Sequence, residues 1–151
     1  MIGLPDIRTL IPHADPMVLL DRVLSVDEDS LCAEVEIRSD SLFCGPDGVG
    51  AWVGIEYMAQ AIAAWTGYHA QLRGEPIKLG FLLGTRRYES SRPLFVLGSV
   101  LRVQVQRLFQ NENGLGSFEC FIDGEEGRVA TATVTVFQPP NVDSFLEDIA
   151  E

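Results

Sequence analysis

Hydrophobic and polar residues alternate along much of the chain with a period of two, which is typical of β-strands. The clearest example is Leu31, Ala33, Val35 and Ile37, which are separated by a cysteine and two glutamates. The same pattern predicts strands over about 18–26, 31–38, 79–88, 96–109, 117–123 and 128–137. Turn residues separate several of these segments, so neighbouring strands are expected to pair as antiparallel hairpins.

The segment from Gly48 to Leu72 departs from this alternation because apolar residues lie on every side of a helical projection. We predict one long helix over 51–71, and a helix that is apolar all round lies in a protein interior. The glycine-rich residues 44–50 are predicted to form an irregular loop, and residues 5–10 a short helix or turn. About six mostly antiparallel strands, with this helix inserted after the second strand, indicate an α+β fold.

Length and composition are those of one folded domain. The 151 residues are 46% hydrophobic and 22% charged, which predicts a single domain over 1–151 with residues 139–151 as a C-terminal tail. The first residues lack the pattern of a signal peptide, and polar residues interrupt the apolar helix, so we expect a cytoplasmic protein without a membrane span. Three cysteines without metal-ligand spacing predict neither disulfides nor a zinc site.

The charge of the chain is acidic but uneven. A net charge of −11 argues against nucleic acid as a partner, because a phosphate backbone would repel the chain. Residues 73–92 nevertheless carry five cations and two acids. These cations, which include Arg86, Arg87 and Arg92, are either solvated surface charges or a docking site for an acidic or phosphorylated partner.

Glu56 is the only formally charged residue between Gly48 and Leu72. Burying its carboxylate without a partner would be costly, so the side chain must reach water, find a donor or stay protonated. A protonated carboxyl group is a candidate general acid, whereas an exposed first-turn glutamate would only interact with the helix dipole. Gln60, one turn later, is expected to line the same cavity or to hydrogen-bond the carboxyl.

Three segments resemble the 3-hydroxyacyl-acyl-carrier-protein dehydratases. Residues 10–23, LIPHADPMVLLDRV, are similar to the amino-terminal signature of this family, and residues 55–61, IEYMAQA, to its active-site helix. Residues 83–94 resemble a later segment in which a strand meets an arginine-proline turn. The resemblance is strongest to the dehydratase-like proteins of aryl-polyene biosynthetic clusters. It implies the hotdog fold, in which a curved antiparallel sheet wraps around one long helix and two such domains form a dimer.

The resemblance also implies a reaction, the elimination of water from a 3-hydroxyacyl thioester to give a trans-2-enoyl thioester. In this family a loop histidine removes the α-proton, and a helix carboxylate protonates the leaving hydroxyl. Glu56 matches the carboxylate, and Ala51 matches the residue whose backbone amide polarises the thioester carbonyl. The candidates for substrate binding, unless they are plain core residues, are Ala51, Trp52, Tyr57, Met58 and Gln60.

The substrate class implied by the resemblance sets the expected partners. The acyl group would arrive on the phosphopantetheine arm of an acyl carrier protein or of coenzyme A, so neither a cofactor nor a metal is expected. Arg86, Arg87 and Arg92 are the candidates for docking the carrier protein. The expected assembly is a homodimer or a heterodimer with a related hotdog dehydratase subunit.

The loop before the helix departs from the family pattern. Residues 45–50 form a shorter segment than the usual loop and contain no histidine. His13 is either a replacement base or a structural hydrogen-bonding residue. His69 follows Glu56 by 13 residues, which is about 20 Å along a helix. Asp47 is either a carboxylate base or an ordinary turn residue.

Three functions remain open from the sequence. The first is a dehydratase, acting alone or as one half of a heterodimer in which a related subunit supplies the loop histidine. The second is a hotdog thioesterase, in which a carboxylate directs water to the thioester and no histidine is needed. The third is a non-catalytic structural or acyl-binding subunit in which Glu56 has no chemical role.

Overall fold

A computed structural model describes residues 4–12, 17–76 and 81–138, without the side chains of 81–83 and 86. The helix α1 (Gly54–Leu72) follows a 3-10 turn at Ala51–Val53, and a further 3-10 turn lies at Ile7–Thr9. The strands are β1 (Arg22–Val26), β2 (Ser30–Glu36), β3 (Gly48–Gly50), β4 (Phe81–Ser90), β5 (Leu94–Val96), β6 (Val100–Gln110), β7 (Leu115–Gly124) and β8 (Gly127–Phe137).

Six of the described strands form one antiparallel sheet in the order β1-β2-β6-β7-β8-β4. Leu31 of β2 pairs with Val105 of β6, and Val35 pairs with Leu101. Partners in register have their side chains on the same face of a sheet, and these four side chains are buried. The alternation seen in the sequence therefore marks the inner face of the sheet.

Helix α1 packs against this inner face, as expected for a helix that is apolar all round. Met58, Ala61 and Ile62 are at most 2% exposed, and the Trp65 ring meets the Phe118 ring of β7 edge to face at 5.5 Å between centroids. The predicted α+β class and the central helix are confirmed. The first three residues of the predicted helix form a 3-10 turn instead of α-helix.

Part of the predicted irregular loop is a strand. Residues 48–50 form β3, which pairs with β5 in a separate two-stranded sheet and places Val49 opposite Phe95. Gly48 has a φ of 145°, and a Cβ atom there would overlap the Phe95 carbonyl oxygen. The glycine therefore allows close pairing. The prediction for 44–50 is wrong at its end because the pairing partner is remote in sequence.

The strand predicted over 96–109 is two strands. Its first residue, Val96, is the last residue of β5, and most of the remainder belongs to β6, which begins at Val100. Between them Gly98 has a φ of 89°, a conformation that favours glycine, and its N–H donates to the Ile37 carbonyl at 2.7 Å. This turn carries the chain from the small sheet to the six-stranded sheet.

The amino-terminal segment lies against the helix. Ile7 and Leu10 are buried, and a Cβ atom at Gly67 would overlap the Leu10 carbonyl group. The helix or turn predicted over 5–10 is thus confirmed as the first 3-10 turn. The predicted tail at 139–151 and His13 lie outside the described residues.

Candidate active site

Glu56 lies in the first turn of α1 and is partly buried. Its Oε1 atom accepts a hydrogen bond from Nε2 of Gln60 at 3.2 Å. Residues four apart in a helix lie on the same face, so this contact follows from the helix itself. Of the two roles expected for Gln60, the structure shows the hydrogen bond to the carboxyl.

The orientation of the Gln60 amide is fixed by the backbone of the amino-terminal segment. Its Oε1 atom accepts from the Leu19 N–H at 2.9 Å, and its Nε2 atom donates to the Met17 carbonyl at 2.7 Å. A flipped amide would face a donor with a donor and an acceptor with an acceptor. The second hydrogen on Nε2 therefore points to Glu56, and the side chain is 0% exposed.

This orientation determines how Gln60 contacts Glu56. An amide N–H only donates, so the Oε1 atom of Glu56 accepts this hydrogen bond. The Gln60 amide thus fixes the position of one carboxyl oxygen of Glu56.

The start of the helix corrects the expected role of Ala51. Its backbone N–H donates to the Pro93 carbonyl at 3.0 Å, so it is not available to polarise a thioester carbonyl. Its own carbonyl accepts from the Gly54 N–H and from the Tyr88 hydroxyl. In a 3-10 turn each N–H donates to the carbonyl three residues back, so the Val53 N–H is bonded to the Gly50 carbonyl. The N–H of Trp52 has no acceptor within the turn.

The remaining candidates for substrate binding face different surroundings. Trp52 is 67% exposed, and its ring meets the Phe43 ring at 5.6 Å between centroids. Met58 is 0% exposed within the core, which agrees with a plain core residue. Trp52 is therefore the one of these two whose side chain is open to a ligand or to another subunit.

Tyr57 is 2% exposed and lines a cavity of about 310 Å³ together with Leu19, Asp21 and Leu42. Burial raises the pKa of its phenol well above the ordinary value. Tyr57 thus lies beside a cavity as well as in the core.

The two candidate bases in the described residues make other contacts. His69 is near the end of α1, where its Nε2 atom is 2.9 Å from the Asp27 carbonyl oxygen and its ring is 4.5 Å from the Trp65 ring. Asp47 is exposed on the approach to β3, and its carbonyl accepts from the Leu97 N–H at 2.9 Å. His13 lies outside the described residues.

The expected docking arginines lie on or near the edge strand β4. Arg87 is exposed, with a φ of 54°, at an irregularity of the register between residues 86 and 89. Arg92 is exposed and pairs with Glu126 at 3.1 Å. The backbone of Arg86 is opposite Thr133. Arg87 and Arg92 thus present cations to solvent near the start of the helix, since Pro93 contacts Ala51.

Sequence reasoning missed Tyr88 and Pro93, which hold the start of the helix from the sheet side. The sequence signal that precedes Tyr88 is the pair Arg86-Arg87. Two successive arginines interrupt the alternation of a strand, and the register of β4 shifts between residues 86 and 89. Among the described residues, no group of three or more histidine, cysteine or acidic side chains is suited to a metal. No helix in the same ranges is long and apolar enough to cross a membrane.

An antiparallel sheet wrapped around one long helix, with a carboxyl group in the first turn of that helix, defines a hotdog-fold protein of the dehydratase type. The chain matches the family model of the ApeP-like proteins, described as ApeP dehydratase, over residues 5–147. It belongs to this ApeP-like family of dehydratases.

Solved structures with the same fold include the dehydratase heterocomplex ApeI:P from Xenorhabdus doucetiae. A chain of this complex is 35% identical with a TM-score of 0.91, and the match covers 99% of the present chain and 100% of that one.

Two thioesterases also share the fold. A hypothetical thioesterase with coenzyme A from Streptococcus pneumoniae is 15% identical with a TM-score of 0.60, covering 78% of this chain and 84% of that one. A mutant thioesterase from Staphylococcus aureus is 9% identical with a TM-score of 0.61, covering 78% and 92%. At these identities the similarity shows only the fold. No curated protein matches the chain significantly.

Proposed function

We propose that the chain protonates the leaving hydroxyl in the dehydration of a 3-hydroxyacyl thioester, with the carboxyl group of Glu56 as the proton donor. A base removes the proton from the α-carbon, the double bond forms between the α- and β-carbons, and the bond from the β-carbon to oxygen breaks. The departing hydroxide takes the proton of Glu56 and leaves as water. The carboxylate recovers its proton from solvent or from the protonated base.

The observation that carries this proposal is the contact between Gln60 and Glu56. Hydroxide is a poor leaving group, so the reaction needs a proton donor aimed at the leaving oxygen. Gln60 donates to one oxygen of the Glu56 carboxyl group and so holds the group in place at the start of the helix. The N–H group of Trp52 at the helix start is the donor that we assign to the thioester carbonyl.

The base comes, in this proposal, from a second hotdog subunit of related sequence. The histidine in the described residues is at the opposite end of α1 from Glu56, and residues 45–50 contain none. The similarity to a chain of a dehydratase heterocomplex supports this pairing. His13 of the same chain is the alternative base.

The substrate that we propose is an acyl group of polyene biosynthesis carried on phosphopantetheine by an acyl carrier protein in the cytoplasm. The reaction as written needs no cofactor, because a side chain supplies the proton and another removes one. Arg87 and Arg92 are assigned to docking the carrier. Carrier proteins of this type are acidic, and exposed cations steer such partners.

The test compares the chain alone and with its candidate partner subunit in dehydration of a 3-hydroxyacyl carrier-protein thioester. The enoyl product is followed by its ultraviolet absorbance and thioester hydrolysis by released thiol. We expect turnover only in the complex, and its loss by at least about a hundredfold in Glu56→Gln. Glu112→Gln, a change of an exposed turn residue, is the matched control.

Each alternative has its own outcome in this assay. Full activity of the chain alone would exclude an essential partner base, and its loss in His13→Ala would transfer that role to His13. Release of thiol without enoyl product would indicate a thioesterase. A fully active complex carrying Glu56→Gln would make this chain a non-catalytic subunit.

Docking is tested by changing the charge of Arg87. Arg87→Ser should raise KM for the carrier-protein substrate several-fold and leave KM for the same acyl group on free pantetheine unchanged. Arg22→Ser, at an exposed arginine of β1, controls for the loss of one positive charge. An equal effect of both substitutions would contradict the assignment of Arg87.

A further inference from the structure

Tyr88 connects the edge strand β4 with the start of α1. Its hydroxyl donates to the Ala51 carbonyl, which also accepts the Gly54 N–H that closes the 3-10 turn. The Ala51 N–H is held by Pro93 at 3.0 Å. The peptide groups on both sides of Ala51 are thus fixed by β4 and by the turn that follows it. The second of these peptide groups carries the Trp52 N–H.

A bulge in β4 is what turns Tyr88 towards the helix. Ser90 pairs with Ala130, and Thr85 pairs with Val134; both partners are buried on the inner face. In a regular strand Thr85 and Ser90, five residues apart, would lie on opposite faces. The register shift between residues 86 and 89 adds one residue, so Tyr88 shares the inner face with Ser90.

The bulge requires an unusual backbone conformation. Arg87 has a φ of 54°, which costs about 1 kcal/mol or more for a residue with a side chain. A local conformation of this kind persists when the surrounding structure holds it. Arg87 adopts this conformation directly before Tyr88, whose hydroxyl donates to the Ala51 carbonyl.

Gly54, the first residue of α1, leaves space for the Tyr88 hydroxyl. A Cβ atom at position 54 would overlap the Tyr88 oxygen, and it would lie 3.0 Å from Cδ1 of Ile122 and 3.1 Å from Cζ of Phe95. Only glycine fits there. Burial raises the pKa of Tyr88 to about 12, so its hydroxyl remains a donor at any pH at which the protein would work.

We propose that Tyr88 is a positioning residue for the reaction, because it orients the Trp52 N–H group towards the thioester carbonyl through its bond to the Ala51 carbonyl of the same peptide group. This inference rests on the proposed dehydration. A 3-10 turn and an α-helical turn aim their first N–H groups differently, and the Tyr88 hydroxyl holds the Ala51 carbonyl in the 3-10 arrangement. Donors that polarise a carbonyl act only when they are aimed at the oxygen.

The test substitutes Tyr88→Phe in the complex with the partner subunit. Tyr68→Phe is the matched control. Tyr68 lies near the end of α1, remote from Ala51, and its ring packs against the His69 ring at 5.4 Å between centroids. We expect kcat to fall about tenfold in Tyr88→Phe with KM unchanged, and both parameters to stay the same in Tyr68→Phe. Thermal unfolding is measured for both variants.

A second readout does not depend on turnover. A saturated acyl-pantetheine thioester labelled with ¹³C at its carbonyl cannot be dehydrated, and infrared spectroscopy reports the stretching frequency of its carbonyl in the bound state. Polarisation lowers this frequency. We expect it to return towards the value of the free thioester in Tyr88→Phe and to remain lowered in Tyr68→Phe.

The outcomes separate the inference from the proposed function. An unchanged kcat and carbonyl frequency in Tyr88→Phe, while Glu56→Gln abolishes turnover, would overturn only the role of Tyr88. A Tyr88→Phe chain that does not fold would also overturn it in favour of a purely structural role. If Glu56→Gln is fully active, the proposed dehydration by this chain fails, and the carbonyl frequency still decides whether Tyr88 aims the helix start.

Discussion

The side-chain amide of Gln60 offers two hydrogens and one oxygen, and the protein uses all of them. Two of the three partners are backbone groups of Met17 and Leu19, 43 and 41 residues away in the chain. The same side chain thus fixes the amino-terminal segment on the helix and aims Glu56. Gln60 thus combines a contact that holds the amino-terminal segment with a contact to the proposed proton donor.

Replacing Gln60 with leucine should therefore damage both roles. The substitution leaves the buried Leu19 N–H without a partner, at about 1–3 kcal/mol, and removes the hydrogen bond to the part-buried Met17 carbonyl, at about 1 kcal/mol. We expect the free energy of unfolding to fall by about 2–4 kcal/mol in urea denaturation, and kcat of the complex to fall with it.

The control for this prediction is Gln71→Leu on the same helix. Gln71 is exposed and also donates to a backbone carbonyl, that of Thr9, at 2.8 Å. Water replaces the lost partner there, so the loss should stay below about 1 kcal/mol. Equal losses in the two variants would show that the buried position of Gln60 is not what matters.

Helix α1 and the first 3-10 turn pack closely together through Gly67. Gly67 lies directly under the Leu10 carbonyl, and Leu10 and Ile7 are buried beside the helix. A glycine in the middle of a helix usually costs about 1 kcal/mol relative to alanine. The close packing of the amino-terminal segment offsets this cost.

Gly67→Ala should destabilise the protein although alanine is the better helix former. The added methyl group overlaps the Leu10 carbonyl, so the amino-terminal turn must move away from α1. We expect a loss of about 1–3 kcal/mol in the free energy of unfolding. Gly84→Ala, where no atom lies within 4 Å of the added methyl group, should change stability by about 0.5 kcal/mol or less. A stabilising Gly67→Ala would contradict the packing seen here.

The elements that sequence reasoning predicted are those with a local cause. Alternating residues located the strands of the large sheet, and a continuous apolar segment located α1. Strand β3 was missed because it pairs with Leu94–Val96, which are remote in sequence. The glycines of residues 44–50 indicated a loop because they are judged by their local sequence alone. The bulge at Arg87 was missed because it depends on Tyr88 reaching Ala51.

The same distinction between local and remote causes applies to the candidate site. Glu56 was found by its charge in an apolar segment, and Gln60 by its helical spacing from Glu56. The engagement of the Ala51 N–H was not predictable, because it requires Pro93, which is adjacent only in the folded chain. Local patterns locate side chains on a helix, but contacts between elements decide which backbone groups remain open.

At the scale of the whole molecule, the response to alkali follows from which groups are buried. The cations are ten arginines and one lysine, and arginine keeps its charge at every pH at which proteins are studied. Burial raises the pKa values of the Cys120 thiol and of the Tyr57 and Tyr88 phenols. Loss of positive charge is therefore a minor cause of alkaline unfolding here.

We expect the free energy of unfolding to fall as the pH rises above about 8.5, and more steeply above about 10, where cysteine and then tyrosine ionise in the unfolded chain. Each of these groups has a folded pKa above its unfolded value, so the folded state holds more protons over that interval. Stability then falls with pH by up to about 1.4 kcal/mol per pH unit for each group. Urea denaturation between pH 7 and 11 measures the slope.

Substitution identifies the groups responsible for this slope. Cys120→Ala should flatten the decline that begins near pH 8.5, and Tyr57→Phe should reduce the slope above about pH 10. Val134→Ala removes buried surface without a titrating group, so it should lower stability by the same amount at every pH. If Tyr57→Phe shifts the curve uniformly like Val134→Ala, the buried phenol is not a source of the alkaline instability, and its hydroxyl must be more accessible to solvent than its 2% exposure indicates.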